Sequence, residues 1–345
     1  MRKRIAILTR SDDKSPKVLA ISFQQMCSEI GVETKIFFQG TSMLSRLFFL
    51  TEKTMFARNW HFKIRHHLYY LLSDIILLIR LLRYDIILIS ECIPNAHWRG
   101  YYNIERLKKL TKKPVVLYEV YCLLNSMTHT KILKEGNHYG YERYDWNYSI
   151  SRIAELRGIP DVDKKWTDIG LNIQWTGLTC NAKKEIIALV DFEQVGFESS
   201  LQEQIDVLES FPMIKIIRLK GSYKATEIRE LYKKASLFFI QFPEAFGVSI
   251  AECLSTGCQI IVKDMNWAMS WRLQNDIGEE YLPDCFFVYQ TKHNLYQYIK
   301  KFIDNHDADK TPKNINDIFL SCYPEFYYGN SGNLLASLAH IKVSA

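Results

Sequence analysis

The sequence predicts an α/β protein built from two doubly wound, Rossmann-like parallel sheets. Along most of the chain, short apolar runs of strand length alternate with helical patterns, which is the rhythm of βαβ units. The 345 residues are enough for two domains that each bury a core. The rhythm breaks over residues 158–179, where loops contain Pro160, Gly170 and Gly177. We therefore expect a first domain over residues 1–170 and a second that begins directly after it.

The first half alternates strand and helix patterns. Its apolar runs are short and nearly continuous, as in the buried strands of a parallel sheet. Residues 148–151 and a helix after them are expected to complete the domain. The predicted strands cover residues 4–9, 33–38, 85–90 and 114–120, and the predicted helices cover residues 18–30, 68–82 and 102–110.

The second half opens with a new apolar run and continues in the same way. A late helix is expected over residues 295–303, and residues 318–341 are expected to be partly helical. Strands are predicted over residues 185–190, 215–219, 235–240 and 259–262, with helices over 226–234 and from about 248.

The most informative stretch, residues 242–257, reads FPEAFGVSIAECLSTG between two of these strands. Gly247 lets the backbone approach a ligand without a Cβ in the way. The helix that follows turns free N–H groups and a positive dipole end toward the same place, which suits a phosphate. Glu252, about one turn into the helix, can reach a hydroxyl pair such as a ribose, and Glu244 would face the other end of the ligand. Two exposed glutamates that merely favour a helix N-terminus are the structural alternative.

This stretch resembles the E-x7-E signature of retaining glycosyltransferases with the GT-B fold, most of all glycosyltransferase family 4. The likeness runs from about residue 214 to residue 262, and outside it only the layout is similar. The resemblance implies that Glu244 contacts the donor sugar and that Glu252 binds the ribose of the nucleotide. It also implies that the sugar and the phosphate are contacted by the backbone of Phe246, Gly247, Val248 and Ser249.

The same resemblance implies an architecture and an activity. Two Rossmann-like domains would face each other across a cleft: an acceptor-side domain (1–170) and a nucleotide-sugar-binding domain (171–320), with a C-terminal segment (321–345) that packs back on the first. The implied reaction moves a sugar, with retention, from a nucleotide sugar to a glycan or glycolipid acceptor of the surface-polysaccharide type. We expect a UDP-sugar rather than a GDP-sugar as co-substrate, and neither a cofactor nor a metal ion.

One part of the family pattern is missing from the second domain. Family members carry an Arg and a Lys just after its first strand, where they neutralise the donor diphosphate. Here residues 191–198 read DFEQVGFE and contain no cation. Backbone N–H groups alone would make a weaker phosphate site. The missing charge could come from the next strand end, which carries Arg218, Lys220 and Lys224, although these could equally be solvated surface residues.

The first domain also departs from the family, many of whose members place a His near the cleft. After the strand over residues 114–118 this chain has Glu119, and Glu91 ends the preceding strand. The carboxyl ends of parallel strands are where catalytic groups gather. Either glutamate could therefore polarise an acceptor hydroxyl, and Glu119 is our candidate. His97 is the acceptor-side histidine, with a packing or surface role as the alternative.

Composition and charge exclude several other classes. Apolar residues make up 48% of the chain and charged residues 24%, as in soluble globular proteins. The eight cysteines form no C-x-x-C pair, and the first apolar run is too short for a signal peptide, so a cytoplasmic protein is expected. The net charge of +6 is modest and no nucleic-acid-binding motif is present, so nucleic acid is not an expected partner.

Residues 41–83 form a second informative segment. It holds seven Lys or Arg against two acids, with aromatic residues between them. This mixture suits an anionic membrane surface, although an amphipathic helical excursion packed on the first domain would look the same. Charged residues interrupt its apolar end, which argues against a membrane span. The residues expected on the acceptor or membrane side are Arg58, Lys63 and Arg65.

Three other functions remain open at this point. The missing diphosphate cations make a catalytically silent GT-B scaffold or partner protein possible. A sugar-nucleotide epimerase would need an additional acid–base pair and no separate acceptor. A peripheral membrane-binding module would use residues 41–83 as its main functional surface.

Overall fold

A computed structural model of the chain describes residues 3–10, 15–39, 75–91, 104–119, 143–150, 165–241, 244, 246–264 and 269–342. The described residues fall into two compact units. The first contains those up to Leu171 together with those from Asn330 onward, and the second contains Asn172–Gly329.

The first unit is a six-stranded, all-parallel sheet with strand order β2-β1-β3-β4-β5-β6. The strand over residues 4–10 lies between two others and is a continuous apolar run with no exposed side chain over residues 5–8, as expected for a sheet covered on both faces. The strands are β1 (Arg4–Arg10), β2 (Glu33–Gln39), β3 (Ile86–Glu91), β4 (Val115–Glu119), β5 (Trp146–Ser149) and β6 (Trp166–Asp168), and the helices are α1 (Ser15–Glu29) and α2 (Ile104–Thr111).

Helix α1 packs on this sheet through residues that recur every three or four positions. Leu19, Phe23 and Met26 are fully buried because this spacing places them on one helix face. The Phe23 ring lies 5.8 Å from the ring of Tyr118 and 5.6 Å from that of Tyr148. The helix therefore anchors on the strands β4 and β5.

The second unit is a five-stranded parallel sheet with strand order β13-β10-β9-β7-β8. A short antiparallel hairpin, β11 (Leu273–Gln274) and β12 (Glu280–Tyr281), stands apart from it. The strands are β7 (Ile187–Val190), β8 (Lys215–Arg218), β9 (Leu237–Phe239), β10 (Gln259–Lys263) and β13 (Phe286–Tyr289). The helices are α3 (Glu198–Glu209), α4 (Ala225–Lys234), α5 (Val248–Ser255), α6 (Lys292–Asp304), α7 (Lys310–Cys322) and α8 (Glu325–Tyr328).

The last helix, α9 (Ser331–His340), belongs to the first unit. The Asn333 side chain donates to the backbone oxygen of Asp168 at 3.0 Å, and Ser337 Oγ lies 3.1 Å from the hydroxyl of Tyr148. Both partners lie on β5 or β6. The chain therefore returns to its first sheet after completing the second.

The parallel α/β class predicted for both halves is confirmed. Residues 158–179 were predicted to be loops, and this is wrong for residues 166–168, which form β6, and for a 3-10 turn, Gln174–Thr176. A three-residue edge strand is too short to show a periodicity, and only its pairing with β5 creates it. The helix α3 and the strand β13 were also missed. The predicted helix over residues 68–82 is seen over residues 75–81 and ends one residue earlier than predicted, while residues 68–74 lie outside the described residues.

The described residues contain no helix with the length and apolarity needed to cross a bilayer.

Candidate functional site

The loop between β9 and α5 brings Glu244 against the start of a helix. Gly247 lies in the left-handed region at φ +69°, and a Cβ added there would come within 2.9 Å of Ile250 Cδ1 and 3.5 Å of Glu244 Cβ. The backbone conformation therefore favours glycine, and any larger residue would also force the Ile250 side chain to shift. Val248 and Ser249, the first two residues of α5, are half-buried. Carboxylate, tight turn and helix N-terminus meet at the carboxyl edge of the parallel sheet, where such sheets bind ligands.

A second carboxylate, Asp191, stands at the end of the neighbouring strand β7. Its backbone N–H donates to the backbone oxygen of Phe239 at 2.9 Å, so it continues the pairing of β7 with β9. Burial and, to a smaller extent, the negative charge of Asp191 together raise the pKa of Glu244 to about 7. Burial also raises the pKa of Asp191 to about 6, against the lowering effect of a hydrogen bond from the Phe192 N–H. Two half-buried carboxyl groups that interact electrostatically can hold a proton near neutral pH.

Glu252 forms a buried ion pair. The guanidinium of Arg229, on α4, donates to Glu252 Oε1 from Nε at 2.9 Å and from Nη2 at 2.7 Å. Burial raises the pKa of Glu252, and the charge and hydrogen bonds of Arg229 oppose that effect. The guanidinium carbon of Arg229 lies 4.8 Å from the ring centroid of Trp175, in the 3-10 turn. Arg229 thus contacts both Trp175 in the 3-10 turn and the second glutamate of the motif on α5.

Phe246 lies in an aromatic cluster beneath the loop. Its ring is 1% exposed and stacks on Trp271 at 5.1 Å, with Phe326 edge-on at 4.9 Å. The indole N–H of Trp271 donates to the backbone oxygen of Phe246 at 2.6 Å. The resemblance implied that the loop backbone, including this carbonyl, contacts the sugar. The carbonyl already accepts one hydrogen bond, from Trp271. The cluster instead fixes the loop from below.

The three candidate cations Arg218, Lys220 and Lys224 are all exposed. Arg218 ends β8 and is paired in register with Val190, so it lies at the same sheet edge as Asp191. The backbone N–H of Lys224 donates to Glu227 Oε2 at 2.9 Å at the start of α4. Among the described residues no ion pair engages the side chains of these three cations, which leaves them available for a ligand.

In the first unit, Glu119 ends β4 and is 2% exposed. Its Cα is paired in register with Ser149 of β5 and, on the other side, with Glu91 of β3. Its charge adds to burial in raising the pKa of Tyr118. The remaining acceptor-side candidates lie outside the described residues; they are Arg58, Lys63, Arg65 and His97.

Within the part of the chain that the structure describes, no three His, Cys, Asp or Glu side chains converge as they would around a metal ion.

Three residues of this site escaped the sequence analysis. Asp191 was noted only as part of a loop without cations, although a carboxylate directly after a buried strand is itself a signal. Arg229 sits on a strongly amphipathic helix, where its charge looked like that of any solvated residue. Trp175 lay in a segment assigned to the linker. No spacing rule connects residues 175, 229 and 252, because their contact exists only in the folded chain.

The two parallel sheets and their connections are those of the GT-B fold. The similar solved structures include an alpha-glucosyltransferase in complex with UDP (TM-score 0.57, 11% identity, covering 98% of this chain and 99% of that one). A putative UDP-N-acetylglucosamine 2-epimerase from Listeria monocytogenes is similar as well (0.55, 12%, 98% and 96%). So is Alr3699/HepE of Anabaena in complex with UDP and glucose (0.52, 11%, 98% and 99%).

At such identities these likenesses establish the fold alone. No protein-family model matches the sequence, and no curated protein matches it either. The resemblance to glycosyltransferase family 4 therefore stays a prediction.

Proposed function

We propose that this chain is a glycosyltransferase that transfers a sugar from a nucleotide sugar to a glycan or glycolipid acceptor. The observation that carries the proposal is the convergence of Glu244, Gly247 and the N-terminus of α5 at the carboxyl edge of the second sheet, with Glu252 one turn into that helix. A nucleotide sugar presents a sugar, a diphosphate and a ribose in sequence, and this loop and helix offer a matching group for each. UDP is the nucleotide in two of the similar structures, which favours a UDP-sugar over a GDP-sugar.

The proposed chemistry divides among these groups. Glu244 would hold the donor sugar through its hydroxyls, and the N–H groups of Val248 and Ser249 would face the phosphates. Arg218, with Lys220 and Lys224 beside it, would offset the charge of the departing diphosphate in place of the cations missing after β7. In the first unit Glu119 would polarise the acceptor hydroxyl. We expect retention at the anomeric carbon and no requirement for a metal ion or cofactor, as the resemblance implies.

A lipid-linked acceptor of the surface-polysaccharide type is part of the proposal. The described end of the basic and aromatic segment exposes Ile75, Ile79 and Leu82, which recur at helical spacing, and carries Arg80 and Arg83 beside them. Apolar and basic groups together fit the cytoplasmic face of an anionic membrane. Co-sedimentation with phosphatidylserine vesicles tests this: the charge reversals R58E, K63E and R65E should reduce binding, and undiminished binding would exclude a membrane role for these residues.

The donor site is tested by calorimetric titration with UDP-, GDP-, CMP- and dTDP-sugars. At pH 8, above the Glu244 pKa of about 7, this carboxylate is mostly ionised. We expect the wild type to bind a UDP-sugar there and Glu244→Gln to bind it at least about tenfold more weakly, the worth of one hydrogen bond to a charged group. Glu209→Gln removes one charge at the exposed C-terminal end of α3, away from the loop after β7, and should bind normally. Absence of binding by any sugar nucleotide would refute the proposal, and binding without sugar transfer would favour the silent scaffold.

One observation favours a sugar-nucleotide epimerase as the second candidate. Asp191 and Glu244 form a proton-holding pair at the proposed sugar position, which an epimerase requires and a transferase does not. Incubation of the bound sugar nucleotide in D₂O without acceptor distinguishes the two. Deuterium in the sugar ring indicates proton abstraction and an epimerase, whereas an unlabelled sugar together with acceptor-dependent transfer indicates the transferase.

A further inference from the structure

The ion pair between Arg229 and Glu252 has a geometry that a surface salt bridge lacks. Two guanidinium nitrogens, Nε and Nη2, donate to the same oxygen, Glu252 Oε1, at 2.9 and 2.7 Å. The two side chains are only 13% and 7% exposed. Two converging donors on one oxygen hold the carboxylate in place, and its second oxygen, Oε2, accepts no hydrogen bond from that guanidinium.

Stability alone is a poor reason for such a pair. Removing two charges from water costs several kcal/mol per ion, and well-packed apolar residues often serve equally well at such a place. The pair is also supported from a third element, since the Trp175 ring lies 4.8 Å from the guanidinium carbon and offers its π face. An arrangement that holds one carboxylate ionised and oriented is what a binding group needs.

We propose that Arg229 is a positioning residue for Glu252, and that Trp175 holds Arg229 in place, so that Glu252 Oε2 is presented to the ribose hydroxyls of the donor nucleotide. This inference rests on the proposed function and adds two residues to it. Arg229 does not touch the nucleotide. It acts through Glu252, and its loss should weaken only the binding of the ribose hydroxyls.

The readout is the preference for UDP over 2′-deoxy-UDP and 3′-deoxy-UDP, measured by calorimetric titration. The wild type should bind UDP on the order of tenfold or more tightly than the deoxy analogue that lacks the contacted hydroxyl, since that hydroxyl donates to a charged acceptor. Glu252→Gln should reduce the preference to about twofold or less. Arg229→Met should do the same, and combining it with Glu252→Gln should cause no further loss of preference, because both act through one contact.

Graded variants separate positioning from general damage to the fold. Arg229→Lys keeps the charge but lacks the planar fork, so it should retain an intermediate preference. Trp175→Leu should lower the preference with Arg229 intact. Arg272→Met is the matched control. It removes a partly exposed arginine that directly precedes β11 and pairs with Glu280 of β12 at 2.8 Å, and it should keep the wild-type preference.

Each outcome decides between the two proposals. The positioning role is wrong, and the donor site stands, if the wild type prefers UDP and Arg229→Met keeps the full preference. If Arg229→Met does not fold, the same conclusion follows when Arg229→Lys and Trp175→Leu both keep the full preference. A uniform loss of affinity for all three nucleotides would mean that Arg229 contacts the phosphates or uracil directly, which also overturns the inference. A wild type that binds no nucleotide refutes the proposed function itself.

Discussion

Replacing Asp191 with asparagine should flatten the dependence of stability on pH, because Asp191 and Glu244 take up protons when the chain folds. Asparagine has nearly the same shape and keeps the backbone hydrogen bond to Phe239, so packing changes little. The substitution removes the negative charge of Asp191, which lies beside that of Glu244. The pKa of Glu244 should fall toward its ordinary value of 4.5 and remain above it, since burial, the larger cause, is untouched.

The sign and size follow from the raised pKa values. Burial raises the pKa of Asp191 to about 6 in the folded protein against 3.8 ordinarily, so the folded state binds the proton more tightly than the unfolded state. That contribution to stability is complete below pH 3.8 and is lost as the pH rises through 6. Between pH 5 and pH 8 the loss from Asp191 is on the order of 1 to 2 kcal/mol. Glu244 adds a loss of the same sign over the same interval.

Urea unfolding at pH 5 and pH 8, followed by tryptophan fluorescence, measures this difference. The free energy of unfolding of Asp191→Asn should fall between the two pH values by about 1 to 2 kcal/mol less than that of the wild type. The control is Glu193→Gln, which removes one charge from an exposed position of the same loop and should keep the wild-type difference. An Asp191→Asn variant with the wild-type difference would show that Asp191 takes up no proton on folding.

Three further predictions concern the scaffold of the site, each checked by urea unfolding. Gly247→Ala should destabilise the protein by about 1 to 3 kcal/mol, because φ is +69° and Ile250 lies 2.9 Å from the added Cβ. Trp271→Phe should cost about 1 to 3 kcal/mol, because the buried carbonyl of Phe246 loses its donor. Gly257→Ala should be more severe, at least about 3 kcal/mol, because φ is +76° and a backbone oxygen lies 2.4 Å from the added Cβ.

Gly332→Ala is the control for both glycine substitutions. It lies in α9, and the nearest atom to an added Cβ there is an ordinary contact at 3.5 Å. It should be neutral or slightly stabilising, because alanine has the higher helix propensity. A tolerated Gly257→Ala, or a Trp271→Phe of wild-type stability, would contradict the packing described for that position.

Much of the fold could be predicted from the sequence, because buried parallel strands are visible as apolar runs. The runs that became β1, β7, β9 and β10 needed no tertiary information, since each contains an uninterrupted apolar stretch of at least three residues. The strand β6 could not be predicted, because its three half-buried residues are extended only through their pairing with β5. Long, uniform patterns can be recognised in a sequence, and short edge strands cannot.

The site divides in the same way. Glu244, Gly247 and Glu252 could be found in the sequence, because they share one loop and one helix and their spacing is set by local geometry. The partner of Glu252 could not be found, because Arg229 comes from another helix, 23 residues earlier, and Trp175 from a turn well before that. Nor could the sequence reveal that Asp191 lies beside the motif, since this follows from the order β9-β7 in the sheet.

The sequence by itself therefore determined the α/β class, the strand–loop–helix unit and the two glutamates that its loop and helix carry. Tertiary structure alone decided the state of those glutamates: one has a pKa near neutral beside Asp191, and the other is ionically bound to Arg229. The physical reason is that strand and helix periodicities act between residues a few positions apart, whereas burial and electrostatic coupling depend on which distant elements the sheet brings together.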